Sequence, residues 1–391
     1  MKQSLVCLSA LTIAVACSSS GTNPGGGAGA AGAMAAAGAS SVAGGGGATN
    51  GSGGSVSAMA GASGSVATGG GGAAAAGASA MAGAGGAVGG AAGAGGAGGA
   101  GTAGSGGAPA STAFKCPAGP YDALNIGSGK AVRVPGAPPV DGFNTGSGNV
   151  EGPVWIGDSL YFSEMTDADI PPARILKLAP GGTVSVAVMN SGSNGLAVDA
   201  NGMLFAAVHK DGSVSQVALP SGPVTPVVST YNGKRFTSPN DLAIRSDGTI
   251  YFSDPKYQNS ANPQGAERLY WVTPAPARTV TAVTGAPSTP NGVTLSADEK
   301  TLYVSGSGLK KFTVNADGSL TNPTDVPGGS GGDGMVLDCA GNLYVATGGN
   351  VQILMAAGGA SKSITVDGGA SITNVAFGGM DHKTLYVTAQ G

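Results

Sequence analysis

Residues 241–254 read DLAIRSDGTIYFSD, and this phrase decides the fold because it returns. It stands as GPVWIGDSLYFSE at 152–164, GLAVDANGMLFAAV at 195–208, GVTLSADEKTLYVS at 292–305, GMVLDCAGNLYVAT at 334–347 and NVAFGGMDHKTLYVTA at 374–389. Most copies share one grammar: a short alternating apolar run, a D-x-x-G or similar turn, then a run containing aromatics. Period-two alternation on both sides of a tight turn reads as two β-strands. Six copies spaced by roughly 40–50 residues predict an all-β fold, a six-bladed β-propeller, rather than a helical solenoid. Neither a WD dipeptide nor a repeated glycine pair of the kelch kind marks the copies.

Each copy begins at or just behind a polar residue: Glu151, Asn194, Asn240, Asn291, Asp333 and Asn374. Equivalent points of a circular repeat converge on one axis, so these residues should ring one end of a central channel. Two carboxylates and four amides are hard oxygen donors, suited to Ca²⁺, Mg²⁺ or Mn²⁺ rather than to thiolate-seeking metals. The competing reading is that Asn or Asp before Gly is an ordinary turn pair. A polar residue in every copy, with Glu in the first, favours a metal site.

Strand direction assigns faces. If the first strand of each copy is innermost, its first residues lie at the top of the channel and the D-x-x-G turns at the bottom. The second strand climbs back. Glu164, Asp254 and Thr347, with His209 and Ser307 one step further along, then form a candidate second ring. His209 is either a solvated loop histidine or a substrate contact, and His382 falls in a bottom turn.

The last copy ends only two strands into its blade. The segment 117–149, with its strand-like KAVRV, is expected to complete that blade and hide its open edge. Residues 1–17, MKQSLVCLSALTIAVAC, have one cation, an apolar stretch too short to span a bilayer, and small residues before Cys17. That is a signal peptide, and AVAC followed by SSSG is similar to a bacterial lipobox. The expected product is exported and attached to the cell envelope, periplasmic or at the cell surface, by a lipid on Cys17. Residues 18–114 carry no charge and are mostly Gly, Ala, Ser and Thr. Such a stretch cannot bury enough area to offset backbone entropy and is expected to be a disordered tether. The propeller then occupies residues 115–391 and is read as monomeric.

Other chemistries fare worse. The GAGGAG at 93–98 has no preceding strand, so it is no phosphate loop. The GxSxG at 328–332 lies in a glycine-rich stretch, not a strand-to-helix elbow. Formal net charge is −3 with no basic patch, which argues against nucleic acid. Cys116 and Cys339 lack the spacing for zinc; in an exported chain they permit one disulfide, or remain two small apolar side chains.

The phrases Glu151-Gly-Pro-Val-Trp, Ser238-Pro-Asn-Asp with Tyr251-Phe-Ser-Asp-Pro, Pro290-Asn-Gly with Leu302-Tyr-Val, Asp333-Gly-Met and Asn374-Val-Ala-Phe-Gly-Gly occur in order. In them the chain resembles the gluconolactonase family, with senescence marker protein and luciferin-regenerating enzyme. The resemblance implies a six-bladed propeller holding one divalent cation, most often Ca²⁺, with Zn²⁺, Mg²⁺ or Mn²⁺ as alternatives. It implies Glu151, Asn291 and Asp333 as ligands, and Asn240 as a further ligand or a substrate contact. Asn194 and His209 are the other expected substrate contacts. It also implies hydrolysis of a small-molecule sugar lactone or similar cyclic ester, with Asp333 or a water on the metal as base. Where many relatives carry arginines after the position of His209, this chain has Lys210-Asp-Gly-Ser-Val. A non-catalytic ligand-binding propeller and a phosphotriesterase are the alternatives.

Overall fold

The computed structural model describes residues 114–121, 123–126, 130–133, 149–165, 173–259, 261–366 and 371–390, and the backbone of 12–17. The expected tether falls outside the described residues except for Phe114. All regular structure among the described residues is β. Four sheets have four antiparallel strands each, in simple sequence order. The first blade is Asn149–Ile156, Ser159–Met165, Arg174–Leu178 and Val184–Val188. The second starts at Ser193–Val198, the third at Leu242–Ile244 and the fourth at Val293–Leu295. An eight-stranded sheet holds the last two blades, which start at Met335–Leu337 and Ser371–Gly378.

The aromatic pairs of the second strands explain why the blades stack. Successive side chains of a strand face opposite sides of its sheet. Tyr251 therefore joins a core with Val293, Leu302 and Phe312 of the fourth blade, while Phe252 joins Phe205 and Val214 of the second. Tyr161 and Phe162 divide in the same way between the second-blade side and the sixth-blade side. Between each adjacent pair of blades lies one buried apolar cluster, so the core is a ring of wedges rather than one central mass.

The circle closes between the sixth and first blades. Trp155 stacks on Tyr386 at 5.7 Å, and Thr373 Oγ1 donates to Val150 O at 2.6 Å. Lys130–Arg133, the KAVRV stretch, is indeed a strand of the sixth blade. It is the outermost one, parallel to Lys362–Val366 of the fifth blade on one side and to Thr12–Cys17 on the other. Thr12–Cys17 runs parallel to Thr384–Gln390 over its whole length, in the third position of the blade.

Residues 114–121 and 123–126 form a strap across the bottom turns. Cys116 is bonded to Cys339, with Cα atoms 5.4 Å apart. Phe114 stacks on His382 at 4.0 Å, and Lys362 Nζ donates to Leu124 O at 3.1 Å. His382 thus lies at the bottom, in the turn before Thr384–Gln390. The bond closes a loop across 223 residues of sequence. Chain-entropy arguments give such a cross-link about 2–5 kcal/mol. Cys116→Ser should lower the urea midpoint accordingly, and the wild type in reducing agent should match the variant. Equal midpoints for oxidised wild type and Cys116→Ser would remove the bond from the stability of the fold.

Candidate functional site at the top of the channel

The six polar residues do stand at one phase of the repeat. Asn240 N donates to Ser253 O at 2.9 Å, Asn291 N to Ser305 O at 2.8 Å, and Asp333 N to Ala346 O at 2.9 Å. In the first, second and sixth blades the inner strand carries a register shift at or beside Glu151, Asn194 and Asn374. An irregularity of this kind breaks the strand's alternation and re-aims the side chain.

Neighbouring blades pin these residues through their carbonyls. Ser163 Oγ donates to Asn194 O at 2.6 Å, Ser253 Oγ to Asn291 O at 2.5 Å, and Ser305 Oγ to Asp333 O. Gly195 N donates to Asn240 O at 2.7 Å. The glycine after the ring residue permits this approach. A Cβ on Gly292 would fall 2.4 Å from Asp333 O, and one on Gly334 would sit 1.9 Å from the Asn374 side chain. Most of these Asn-Gly and Asp-Gly pairs therefore mark backbone crowding at the axis: neither Gly195, Gly292 nor Gly334 has the left-handed backbone of a turn glycine.

Glu151, Asn291 and Asp333 come together. The Glu151 charge and the Asn291 side chain both act on the Asp333 carboxyl. Sequence reasoning missed a third carboxylate, Asp241. It stands in the third copy where four other copies have Gly152, Gly195, Gly292 and Gly334. That departure was the available signal. Asp241 Oδ1 accepts from Leu242 N at 2.9 Å and Oδ2 from Val293 N at 3.0 Å, tying the third blade to the fourth.

Burial, then the charge of Asp241, pushes Glu151 up to about 8. Burial pushes Asp241 up to about 7. Asp333 is held well above the usual carboxylate range by burial and by both other carboxylates. Among the described residues, no Lys or Arg makes an ion pair with any of the three. Like charges packed together away from water favour either protonation or a cation.

The donor set fits a cation. Buried Asn194 Oδ1 and Asn291 Oδ1 have no hydrogen-bond partner among the described residues. Among the described residues, no three His, Cys, Asp or Glu side chains form a metal cluster by themselves, so amide oxygens would have to complete the set. Asn374 is already spent: Nδ2 donates to Glu151 Oε2 at 3.2 Å and Oδ1 accepts from Val375 N at 2.8 Å. Asn240 is buried in the ring beside Asp241.

The second ring is largely engaged in local structure. Glu164 pairs with Arg174 in a buried ion pair. Thr347 Oγ1 donates to Asn350 O at 3.0 Å, and Ser307 meets Ser288. Asp254 accepts from Thr237 N at 2.9 Å and Ser238 N at 2.7 Å, which fixes the turn that delivers Asn240.

His209 is different. It is only 2% exposed, and neither ring nitrogen has a partner among the described residues. Burial lowers its pKa from 6.5 to about 4. Between those values the unfolded chain binds the proton and the folded chain does not. Stability conferred by neutral His209 is therefore complete above pH 6.5 and is lost as pH falls towards 4. The loss is at most about 3 kcal/mol. His209→Gln should show a flatter unfolding free energy over that interval; an unchanged slope would mean that the folded protein protonates His209 normally.

Below the ring the channel continues as a cavity of about 970 Å³, walled by Leu196, Val198, Ile244, Leu295 and Leu337 and reaching the strap at the bottom. The apolar wall leaves the polar chemistry at the top.

A family model described as SMP-30/Gluconolactonase/LRE-like region matches residues 150–391, the whole stretch that carries this ring. The chain belongs to the SMP-30/gluconolactonase/LRE-like family. It is 30% identical over 280 residues to the gluconolactonase of Zymomonas mobilis, covering 61% of this chain and 75% of that protein. Lactonase drp35 of Staphylococcus aureus is 34% identical over 125 residues, 30% of this chain and 37% of its own length. Among solved structures, a gluconolactonase from Xanthomonas campestris superposes with a TM-score of 0.54 at 28% identity, covering 62% of this chain and 84% of that one. The family match begins one residue before Glu151 and takes in every ring position.

Proposed function

We propose that this chain hydrolyses a lactone, a sugar lactone or a similar cyclic ester, at the top of the propeller channel, and that it needs a divalent cation to do so. The observation that carries the reading is that the buried carboxylates of Glu151, Asp241 and Asp333 feel one another's charge with no Lys or Arg paired to them among the described residues, beside the unpartnered oxygen of Asn291. Membership of a family that includes gluconolactonases supports the reaction class.

Glu151, Asn291 and Asp333 would hold the cation, with Asn240 as a further donor or a substrate contact. A cation bound there supplies polarisation of the ester carbonyl and a counter-charge for the developing oxyanion. Asp333 takes a proton from the attacking water. The water oxygen bonds to the acyl carbon, the acyl C–O bond of the ring breaks, the proton held by Asp333 passes to the departing ring oxygen to give the product hydroxyl, and the acyl carbon becomes a carboxylic acid that ionises. Asn194 and His209 offer hydrogen bonds to substrate hydroxyls from the second blade. An exported protein held to the cell envelope by a lipid on Cys17, with residues 18–114 as tether, completes the reading; cleavage before Cys17 would take residues 12–16 out of the sixth blade and leave Lys130–Arg133 as its outer strand.

A substrate panel of aldonolactones, homoserine lactones and aryl phosphotriesters, with and without EDTA, tests the reaction. Aldonolactone turnover that EDTA abolishes and added Ca²⁺ restores is the expected result. Phosphotriester turnover alone would replace the reaction class, and ligand binding without turnover of any compound would make the chain a binding module.

A further inference from the structure

Tyr257 stands at the rim of this ring, and sequence reasoning gave it no role. The residue is 48% exposed, although the carboxylates beside it are buried. The side chains of Thr289 and Asn291 and the charge of Asp333 lie close enough to act on its hydroxyl, which burial first of all holds above the ordinary tyrosine range. Tyr257 thus reaches from the loop after Ile250–Asp254 of the third blade to the ring residues of the fourth and fifth.

The loop is fastened on both sides of it. Ser238 Oγ donates to Pro255 O at 2.8 Å, and Gln258 N donates to Ser238 Oγ at 3.4 Å. Asn259 Nδ2 donates to Thr237 O at 3.0 Å. The same 237–238 backbone is gripped by Asp254, and it leads into Asn240. Tyr257 is therefore held half-exposed on a loop tied to the site itself. An exposed ring that is held still costs little further ordering when a ligand arrives.

We infer that Tyr257 is a specificity-determining residue of the site, giving an aromatic wall for the C–H face of a polyhydroxylated ring lactone and a hydroxyl that hydrogen-bonds one of its oxygens. This rests on the proposed lactonase reading. An aromatic side chain with a polar tip suits a ligand that is apolar on one face and wet at its edge. A ring lactone without hydroxyls would use the wall but not the hydrogen bond. Tyr257 therefore separates the two substrate types.

The test compares δ-gluconolactone with unsubstituted δ-valerolactone on wild type, Tyr257→Phe and Tyr257→Ala, together with Ca²⁺ affinity by calorimetry. Tyr257→Phe should lower the preference for the sugar lactone about 10-fold, mainly through KM, with Ca²⁺ affinity unchanged. Tyr257→Ala should raise KM for both substrates. Wild-type preference in Tyr257→Phe overturns the inference while leaving the lactonase reading intact. So does a loss that follows weakened Ca²⁺ binding, which would make Tyr257 only a prop for Asn291. A wild type that opens neither lactone overturns the reading and this inference with it.

Discussion

Asp333→Asn should abolish lactone turnover and weaken divalent-cation binding by at least about 100-fold, since even partners of ligands are worth 10–100-fold. The substitution keeps size and removes one of three converging charges together with the proposed base. Asn374→Ala is the control. Asn374 sits in the same ring, but its amide is spent on Glu151 and on Val375 N. Its loss should cost far less, and only through the orientation of Glu151. Calorimetric titration of both variants with Ca²⁺, beside their turnover, separates the two. Wild-type affinity in Asp333→Asn with a large loss in Asn374→Ala would mean that the ring has been read in the wrong register.

A chain beginning at residue 151 should not fold. It lacks Thr12–Cys17 and Lys130–Arg133, the third and fourth strands of the sixth blade. It also lacks Val150, whose carbonyl accepts from Thr373 Oγ1, and Cys116. Thr384–Gln390 would then be an open edge beside an exposed apolar face, a template for aggregation. Circular dichroism melts should show no cooperative transition. A chain beginning at Cys17, the product expected of signal cleavage, also loses residues 12–16 but keeps Lys130–Arg133, Val150 and Cys116, and should still melt cooperatively if those are what close the circle. Cooperative unfolding of the chain from 151 would contradict the closure argument.

The blades were legible because their signal is local. The period-two runs and D-x-x-G turns mark two strands per copy, and the paired aromatics feed the two cores that each sheet needs. The ring was legible because repetition turns a weak local signal, Asn before Gly, into a phase. Asp241 escaped because it replaces the glycine rather than the polar residue, so its importance shows only when the copies are compared one position later. KAVRV was readable as a strand, but not its place. Parallel pairing between Lys130–Arg133 and strands far away in the chain leaves no spacing to read. Glu164 and Asp254 were correctly near the top by strand direction, yet their partners Arg174, Thr237 and Ser238 make them struts. Those contacts depend on loop paths that composition does not encode. The same holds for Cys116 and Cys339, whose separation of 223 residues says nothing about distance.

A cation in the ring is what the chemistry at the top of the channel depends on. The most direct measurement is a crystal structure of the protein grown with Ca²⁺, with anomalous scattering used to locate the ion. One ion on the channel axis, with carboxylate oxygens of Glu151 and Asp333 and the amide oxygen of Asn291 at about 2.3–2.6 Å, is the expected result. An ion bound elsewhere, or a ring that stays empty at saturating Ca²⁺ while the protein turns over lactone, would contradict it.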